Sequence, residues 1–333
     1  MRIVVTGSSG HLGEALVQAL SDDGHEVVGV DILASPFTTV VGNIFDLALV
    51  RHCVEGADAV LHTATLHKPH IGTHDRQAFV DTNVSGTLNL LEASADAAVN
   101  ALVFTSTTSA FGRALAPPPD APAAWITEEV APVPRNIYGV SKTAAEDLCE
   151  LFHRDRHLRC IILRTSRFFP EADDQENLRE GFDDLNLKVN ELLYRRVDLY
   201  DVVTAHRLAL EQAHTLGFGR YIISATTPFT PADAGELRSK AASVVRRLFP
   251  DCEQIYAQRG WKPLPAIDRV YVNALARSHL GWEPRYDFRR ALDCLKNGQD
   301  PRSPMALAEG AKGYHPEPTG VYTTARTTTG RDR

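Results

Sequence analysis

Apolar residues in the first half of the chain come in short runs. Between the runs, apolar positions recur every three or four residues. Ile3-Val4-Val5, the segment 26–31, 59–64 (Ala-Val-Leu-His-Thr-Ala), 101–106 (Ala-Leu-Val-Phe-Thr-Ser) and 160–165 (Cys-Ile-Ile-Leu-Arg-Thr) carry apolar residues on both faces. That pattern predicts strands of a parallel sheet covered on two sides. A short extended piece at 39–44 fits between the second and third runs. Helical spacing predicts helices over 12–22, 46–54, 76–97 and 138–157. Strict strand–helix alternation implies right-handed βαβ units and an α/β fold with a doubly wound parallel sheet. The Pro- and Ala-rich segment 113–135 reads as a loop over the end of that sheet.

After residue 165 the pattern loosens. The acidic stretch 171–184 reads as a loop with a short helix, 201–214 and 233–248 as helices, and 219–225 as a strand. Leu280-Gly-Trp-Glu-Pro284 reads as a helix end and a turn. The expected organisation is a sheet domain at 1–165 and a smaller capping lobe at 166–300, some of whose segments return to the sheet. A polar, mobile tail follows at 301–333.

The turn after the first strand reads Thr6-Gly-Ser-Ser-Gly-His-Leu-Gly13. Strand, glycine turn and helix together aim backbone N–H groups and a helix N-terminus at a pyrophosphate. Gly7 takes a conformation closed to other residues, Gly10 admits the phosphate and Gly13 lets the helix approach the strand. The next strand ends in Asp31, 18 positions beyond Gly13, near the spacing of a carboxylate that binds the adenosine ribose. No Lys or Arg between Ile32 and Val50 offers itself to a 2′-phosphate. These features make a Rossmann-type site for NAD rather than NADP.

Composition narrows the class. A net charge of -7 argues against nucleic acid as a partner. No stretch reaches the ~18 apolar residues of a membrane span. The start of the chain enters a strand directly, without a signal-peptide pattern. Five scattered cysteines without a C-x-x-C pair read as reduced thiols of a cytoplasmic protein.

Candidate chemistry lies in three places. Tyr138-Gly-Val-Ser-Lys142 opens a helix, and the four-residue spacing puts phenol and ammonium on one face. A nearby cation favours a phenolate that accepts a proton from a substrate hydroxyl as hydride leaves. Thr105-Ser-Thr-Thr-Ser109 ends a strand, where open α/β sheets keep their ligand crevice. His67-Lys68-Pro69-His70 and His74 follow another strand. Pro69 interrupts a shared helical face and no acid or Cys cluster joins them, so no metal site is expected. A loop facing an anionic group of the substrate and a plain solvated loop are both open readings.

Taken in order, these motifs resemble the extended short-chain dehydrogenase/reductase superfamily, the NAD-dependent epimerase/dehydratase group. The likeness spans about residues 1–300. It includes Gly7-x-x-Gly10-x-x-Gly13, Asp31, His62-Thr-Ala-Thr65, Asn83-Val-Ser-Gly-Thr87, Phe104-Thr-Ser-Thr107 with Phe111-Gly112, Tyr138-x-x-x-Lys142 and Leu163-Arg164. Asp201-Val-Val and Leu280-Gly-Trp282 match weaker patterns. The resemblance implies Tyr138 as acid/base, Lys142 as holder of the nicotinamide ribose that lowers the Tyr pKa, and Thr107 as orienter of the substrate oxygen. It implies cofactor contacts from Gly7, Ser9, Gly10, His11, Leu12, Gly13, Asp31, Asn43, Ile44, Thr63, Ala64, Thr65, Asn83 and Thr105, besides Tyr138 and Lys142. Substrate contacts fall to His67, Lys68, Thr107, Thr108, Arg167 and Arg195. A homodimer paired through the helices at 76–97 and 138–157 is also implied.

The chain departs from its relatives where substrates differ. Dehydratases of the group follow the Thr with Asp-Glu, and here Thr108-Ser109 stand there. Epimerases carry an Asn after the Leu-Arg strand, and here the run is Leu163-Arg-Thr-Ser-Arg167. Aligned on Asp201, Tyr194 takes the place of a diphosphate-gripping Arg and Asp198 that of a His, with Arg195 and Arg196 adjacent. Asn43 replaces an Asp that often contacts adenine. The expected function is hydride transfer at a secondary alcohol of a carbohydrate-like substrate. A nucleotide-sugar 4-epimerase with tightly held NAD and a non-catalytic NAD-sensing protein are the alternatives.

Overall fold

The computed structural model describes residues 1–313. Strands β1 (Arg2–Thr6), β2 (Glu26–Asp31), β3 (Val40–Val41), β4 (Ala59–His62) and β5 (Ala101–Thr107) come first in the chain. They are followed by β6 (Ala124–Ile126), β7 (Cys160–Thr165), β8 (Phe218–Ile223) and β9 (Arg269–Tyr271). Seven of them form one parallel sheet in the order β3-β2-β1-β4-β5-β7-β8. The order reverses at β1, so the carboxyl ends of β1 and β4 border a crevice open to a ligand.

Each strand alternates between two cores. Ile3, Val5, Leu61, Val103 and Ile161 face the helices His11–Asp22 and Leu199–Leu216. Val4, Val60, Leu102, Phe104 and Ile162 face Leu47–Val54, Gly86–Asp96 and Ile137–Arg156. Both faces are covered, so the doubly wound fold expected from the apolar runs is the fold observed. Each such side chain, fully buried, contributes roughly 1.5–3 kcal/mol.

A separate apolar cluster joins the helices Asp184–Glu191, Ala234–Leu248, Cys252–Ala257 and Phe288–Lys296 above the crevice. Two tethers bind it to the sheet. β6, inside the expected loop at 113–135, pairs in parallel with β9. The Asp201 carboxylate accepts backbone N–H groups from Arg285 at 2.8 Å and Tyr286 at 2.9 Å. Gly281, at φ 65°, ends the preceding helix in the left-handed region and turns the chain so that Trp282 is fully buried. The Trp282 indole N–H donates to the Asp201 carbonyl at 3.0 Å.

The helix expected at 76–97 is interrupted. It runs as Arg76–Val80, a wide π turn at Asp81–Ser85 and Gly86–Asp96. Such turns favour functional positions, and this one holds Asn83. The expected polar tail also needs correction at its start. Ser303 is buried and caps a helix at Pro304–Glu309, while its backbone N–H donates to Asp198 at 3.0 Å. The rest of that tail, 314–333, lies outside the described residues. Among the described residues no helix is long and apolar enough to cross a membrane.

Candidate active site

The glycine turn is built by exclusion. Gly7 has φ 75°, and a Cβ on it would sit 2.7 Å from the Ala64 backbone nitrogen. A Cβ on Gly13 would sit 1.9 Å from the Gly7 carbonyl oxygen. No side chain fits at either place, so the first turn of helix His11–Asp22 lies against the end of β1. Gly10 precedes this helix without a side-chain cap. The first N–H groups of the helix are therefore left to an external acceptor. The Asp31 carboxylate accepts the Ser9 N–H at 3.0 Å and the Leu33 N–H at 2.9 Å, which fixes it beside the turn. This cradle and carboxylate fit a dinucleotide.

A cleft of about 750 Å³ runs from the glycine turn to the capping lobe. Gly7, Ser9, Gly10, His11, Leu12, Gly13, Asp31, Asn43, Ile44, Thr63, Ala64 and Thr65 line one end. Thr105, Thr107, Thr108 and Tyr138 line the middle, and His67, Lys68, Arg167 and Arg195 the other end.

Tyr138 comes from the first turn of helix Ile137–Arg156, capped by Asn136 through the Gly139 N–H at 3.0 Å. Its side chain and that of Thr107 line the same stretch of the cleft. Burial pushes the phenol up to about 12, and the Thr107 side chain acts the other way. Lys142 is almost fully buried one turn on. Its ammonium donates to the Thr105 carbonyl at 2.7 Å and lies 3.9 Å from the centre of the Phe104 ring. Burial lowers its pKa to about 7, against the pull of Glu146. Desolvation therefore sets the phenol's direction, with Lys142 not among the groups that offset it.

Two expected contacts are placed differently. Asn83 is buried and does not line the cleft. Its amide donates to the Leu66 carbonyl at 3.0 Å and Ser141 at 2.9 Å, and its oxygen accepts from Thr65 and the Leu66 N–H. It fastens the loop after β4 to the Tyr138 helix. The Thr105 hydroxyl is bonded to His206 at 2.8 Å, so its carbonyl, not its side chain, serves Lys142.

At the far end the arginines are engaged by acids. Arg195 donates to Glu191 at 2.6 Å and Asp173 at 3.1 Å. Arg167 donates to Asp173 at 2.8 Å, Arg196 donates to Glu191 at 2.7 Å, and Lys68 pairs with Asp174. Burial alone would raise the Glu191 pKa, but Arg195, Arg196 and Arg167 hold it well below the ordinary carboxylate range. His67 is half-buried, its ring centre 6.1 Å from that of Tyr138. Burial and the neighbouring His70 push its pKa well below the usual value.

Several cleft residues escaped the sequence reading. Arg269 and Tyr271 arrive on β9, and Lys312 and Gly313 from the end of the described chain. Only long-range pairing brings them in. Asn136, a capping residue directly ahead of the apolar start of a helix, carried a readable signal.

Comparison with known proteins follows the geometry. The family model described as "NAD dependent epimerase/dehydratase family" matches residues 3–223. The chain is 27% identical to a UDP-glucose 4-epimerase of Rhizobium meliloti (strain 1021), over 90% of this chain and 98% of that protein. It is 26% identical to a 3-beta-hydroxysteroid dehydrogenase of Mycolicibacterium neoaurum, over 93% and 94%. A crystal structure of a short-chain dehydrogenase/reductase superfamily protein from Agrobacterium tumefaciens with bound NAD superposes with TM-score 0.63 and 24% identity, covering 89% of this chain and 96% of the other. The UDP-N-acetylglucosamine 4-epimerase of Bacillus cereus gives TM-score 0.62 at 20% identity, covering 89% and 97%.

Proposed function

The chain belongs to the NAD dependent epimerase/dehydratase family, and from that membership we propose an NAD-dependent oxidoreductase acting at a secondary alcohol of a sugar-like substrate. The observation that carries this reading is that Tyr138 and Thr107 line the same cleft as the glycine turn. The glycine turn and Asp31 would hold the cofactor, and Lys142 its nicotinamide ribose. When bound, NAD supplies the hydride acceptor. Thr107 orients the substrate hydroxyl, and Tyr138 takes its proton. Thr108 and Ser109 bring hydroxyls where elimination needs an acid, so the reading disfavours dehydration.

Arg167 and Arg195 mark the substrate end. Tyr194 and Asp198 stand where epimerases of the group place the Arg and His of a diphosphate grip, which favours a small sugar, uronate or polyol over a nucleotide sugar. The 4-epimerase reading draws on the relative from Rhizobium meliloti, aligned along nearly its whole length. Incubation with NAD and a panel of sugars, uronates, polyols and nucleotide sugars, followed at the NADH absorbance, separates them. Net NADH from a free sugar is the expected result. Sugar interconversion without net NADH would replace this reading with the epimerase.

Asp31→Ala should raise the NAD Kd about tenfold to a hundredfold, the loss of a charged hydrogen bond to ribose, and should narrow the preference over NADP. Calorimetry with both nucleotides checks it, and an unchanged ratio removes Asp31 from ribose recognition.

The proposal includes a cytoplasmic location, resting on the scattered cysteines, and a homodimer. Val80, on helix Arg76–Val80, and Val140 and Leu151, on helix Ile137–Arg156, are exposed and support pairing there. Light scattering reporting a monomer at assay concentration would remove the dimer.

A further inference from the structure

The end of the described chain enters the cleft beside the glycine turn. Gly310 and Gly313 take φ 59° and 70°, in the left-handed region on either side of a short segment. Within it the Lys312 ammonium pairs with Glu14 and Glu309 and lies 3.4 Å from the Ser9 carbonyl oxygen. The backbone N–H groups of Lys312 and Gly313 each donate to one Glu171 oxygen at 3.3 Å. The same oxygen lies 3.0 Å from His11 Nε2. The segment therefore touches the glycine turn, the first turn of its helix and the acidic loop of the capping lobe together.

The electrostatics give Lys312 a task. The uncapped N-terminus of helix His11–Asp22 favours an anion. Glu14, Glu171 and Glu309 surround that place with carboxylates, which repel one. Lys312 is the ammonium set among them. Without it, a diphosphate would meet the uncompensated charge of Glu14 and Glu309, while Glu171 keeps His11 Nε2 beside it.

We propose that Lys312 is a pyrophosphate-binding residue for the dinucleotide and that Gly310–Gly313 is a strap across it, so that this segment governs how long the cofactor stays. This rests on the NAD reading above. The test uses the full chain as wild type, Lys312→Ala, Lys312→Arg and Glu14→Gln. Calorimetry measures NAD, ADP-ribose and adenosine, and stopped-flow fluorescence measures NADH release.

Lys312→Ala should weaken NAD and ADP-ribose about tenfold or more, the scale of one charge-assisted hydrogen bond. It should leave adenosine, which has no diphosphate, unchanged and should speed NADH release by a similar factor. Lys312→Arg should retain most of the affinity. Glu14→Gln, which removes a competing carboxylate, should bind ADP-ribose as tightly as wild type or more so. Unchanged ADP-ribose affinity in Lys312→Ala overturns the proposal. Equal weakening in Glu14→Gln and Lys312→Ala also overturns it, since Lys312 would then only tie the chain end to the helix. A wild type that binds no NAD overturns the functional reading as well, which sets that failure apart.

Discussion

Tyr138→Phe should lower turnover by about 10²- to 10⁴-fold, the usual worth of a positioned acid/base, while NAD affinity stays close to wild type. The phenylalanine keeps the ring and its packing and removes only the hydroxyl. Burial pushes the Tyr138 phenol up to about 12. A positive charge brought beside it lowers that value. The phenol must lose its proton to act as a base, so alcohol oxidation should rise with pH along an alkaline limb. Tyr138→Phe should flatten that limb as well as lower the rate. Steady-state rates across pH, with calorimetry for NAD, measure both. Undiminished turnover in the variant would remove Tyr138 from the chemistry. Unchanged biological activity alongside absent turnover in wild type would favour the NAD-sensing alternative.

Glu191→Ala should cost about 3–5 kcal/mol of stability, the penalty for stripping the partner from buried charge. The Glu191 carboxylate is almost fully buried and takes Arg195 and Arg196 on its two oxygens, with Arg167 beside it at 3.9 Å. Its folded pKa lies below its ordinary value of 4.5. Its stabilisation is therefore present above pH ~4.5 and is lost as pH falls from there toward the folded value. Urea titrations at pH 7 and at stepwise lower pH test this. Wild type should lose part of its stability on acidification, and Glu191→Gln should lose less, having no carboxylate to protonate. A midpoint for Glu191→Ala equal to wild type would show that the arginines find other partners. The same variant should reshape the substrate end, where Arg195 lines the cleft.

The half of the molecule that holds the glycine turn was legible because its signals are local. A run of apolar residues, a glycine whose φ only glycine tolerates and an acid at a strand end each announce themselves within a few positions. The capping lobe was not, because its contacts are remote. Phe288 and Leu292 pack against residues 184–191 and 234–248, and no short window contains both sides. Asn83 was read as touching the cofactor because its motif was visible. The π turn that buries it and saturates its amide was not. Arg167 and Arg195 were legible as cations, but the acids that engage them, Asp173 in the acidic loop and Glu191 at the end of helix Asp184–Glu191, are brought to them only by the fold. Lys312 sits in a stretch whose polarity suited a tail. Glu14 and Glu171, from distant places in the chain, make it an ordered neighbour of the glycine turn.

The pairing of β6 with β9 bears on the order in which the protein can be made. β6 lies at Ala124–Ile126 and β9 at Arg269–Tyr271. A ribosome therefore releases the nucleotide-binding half long before the strand that fastens its outer loop has been synthesised. Early in that interval β7 also lacks β8, and its edge stands open to other chains. The nascent protein is most exposed to misassembly while its best-recognised motif is already complete.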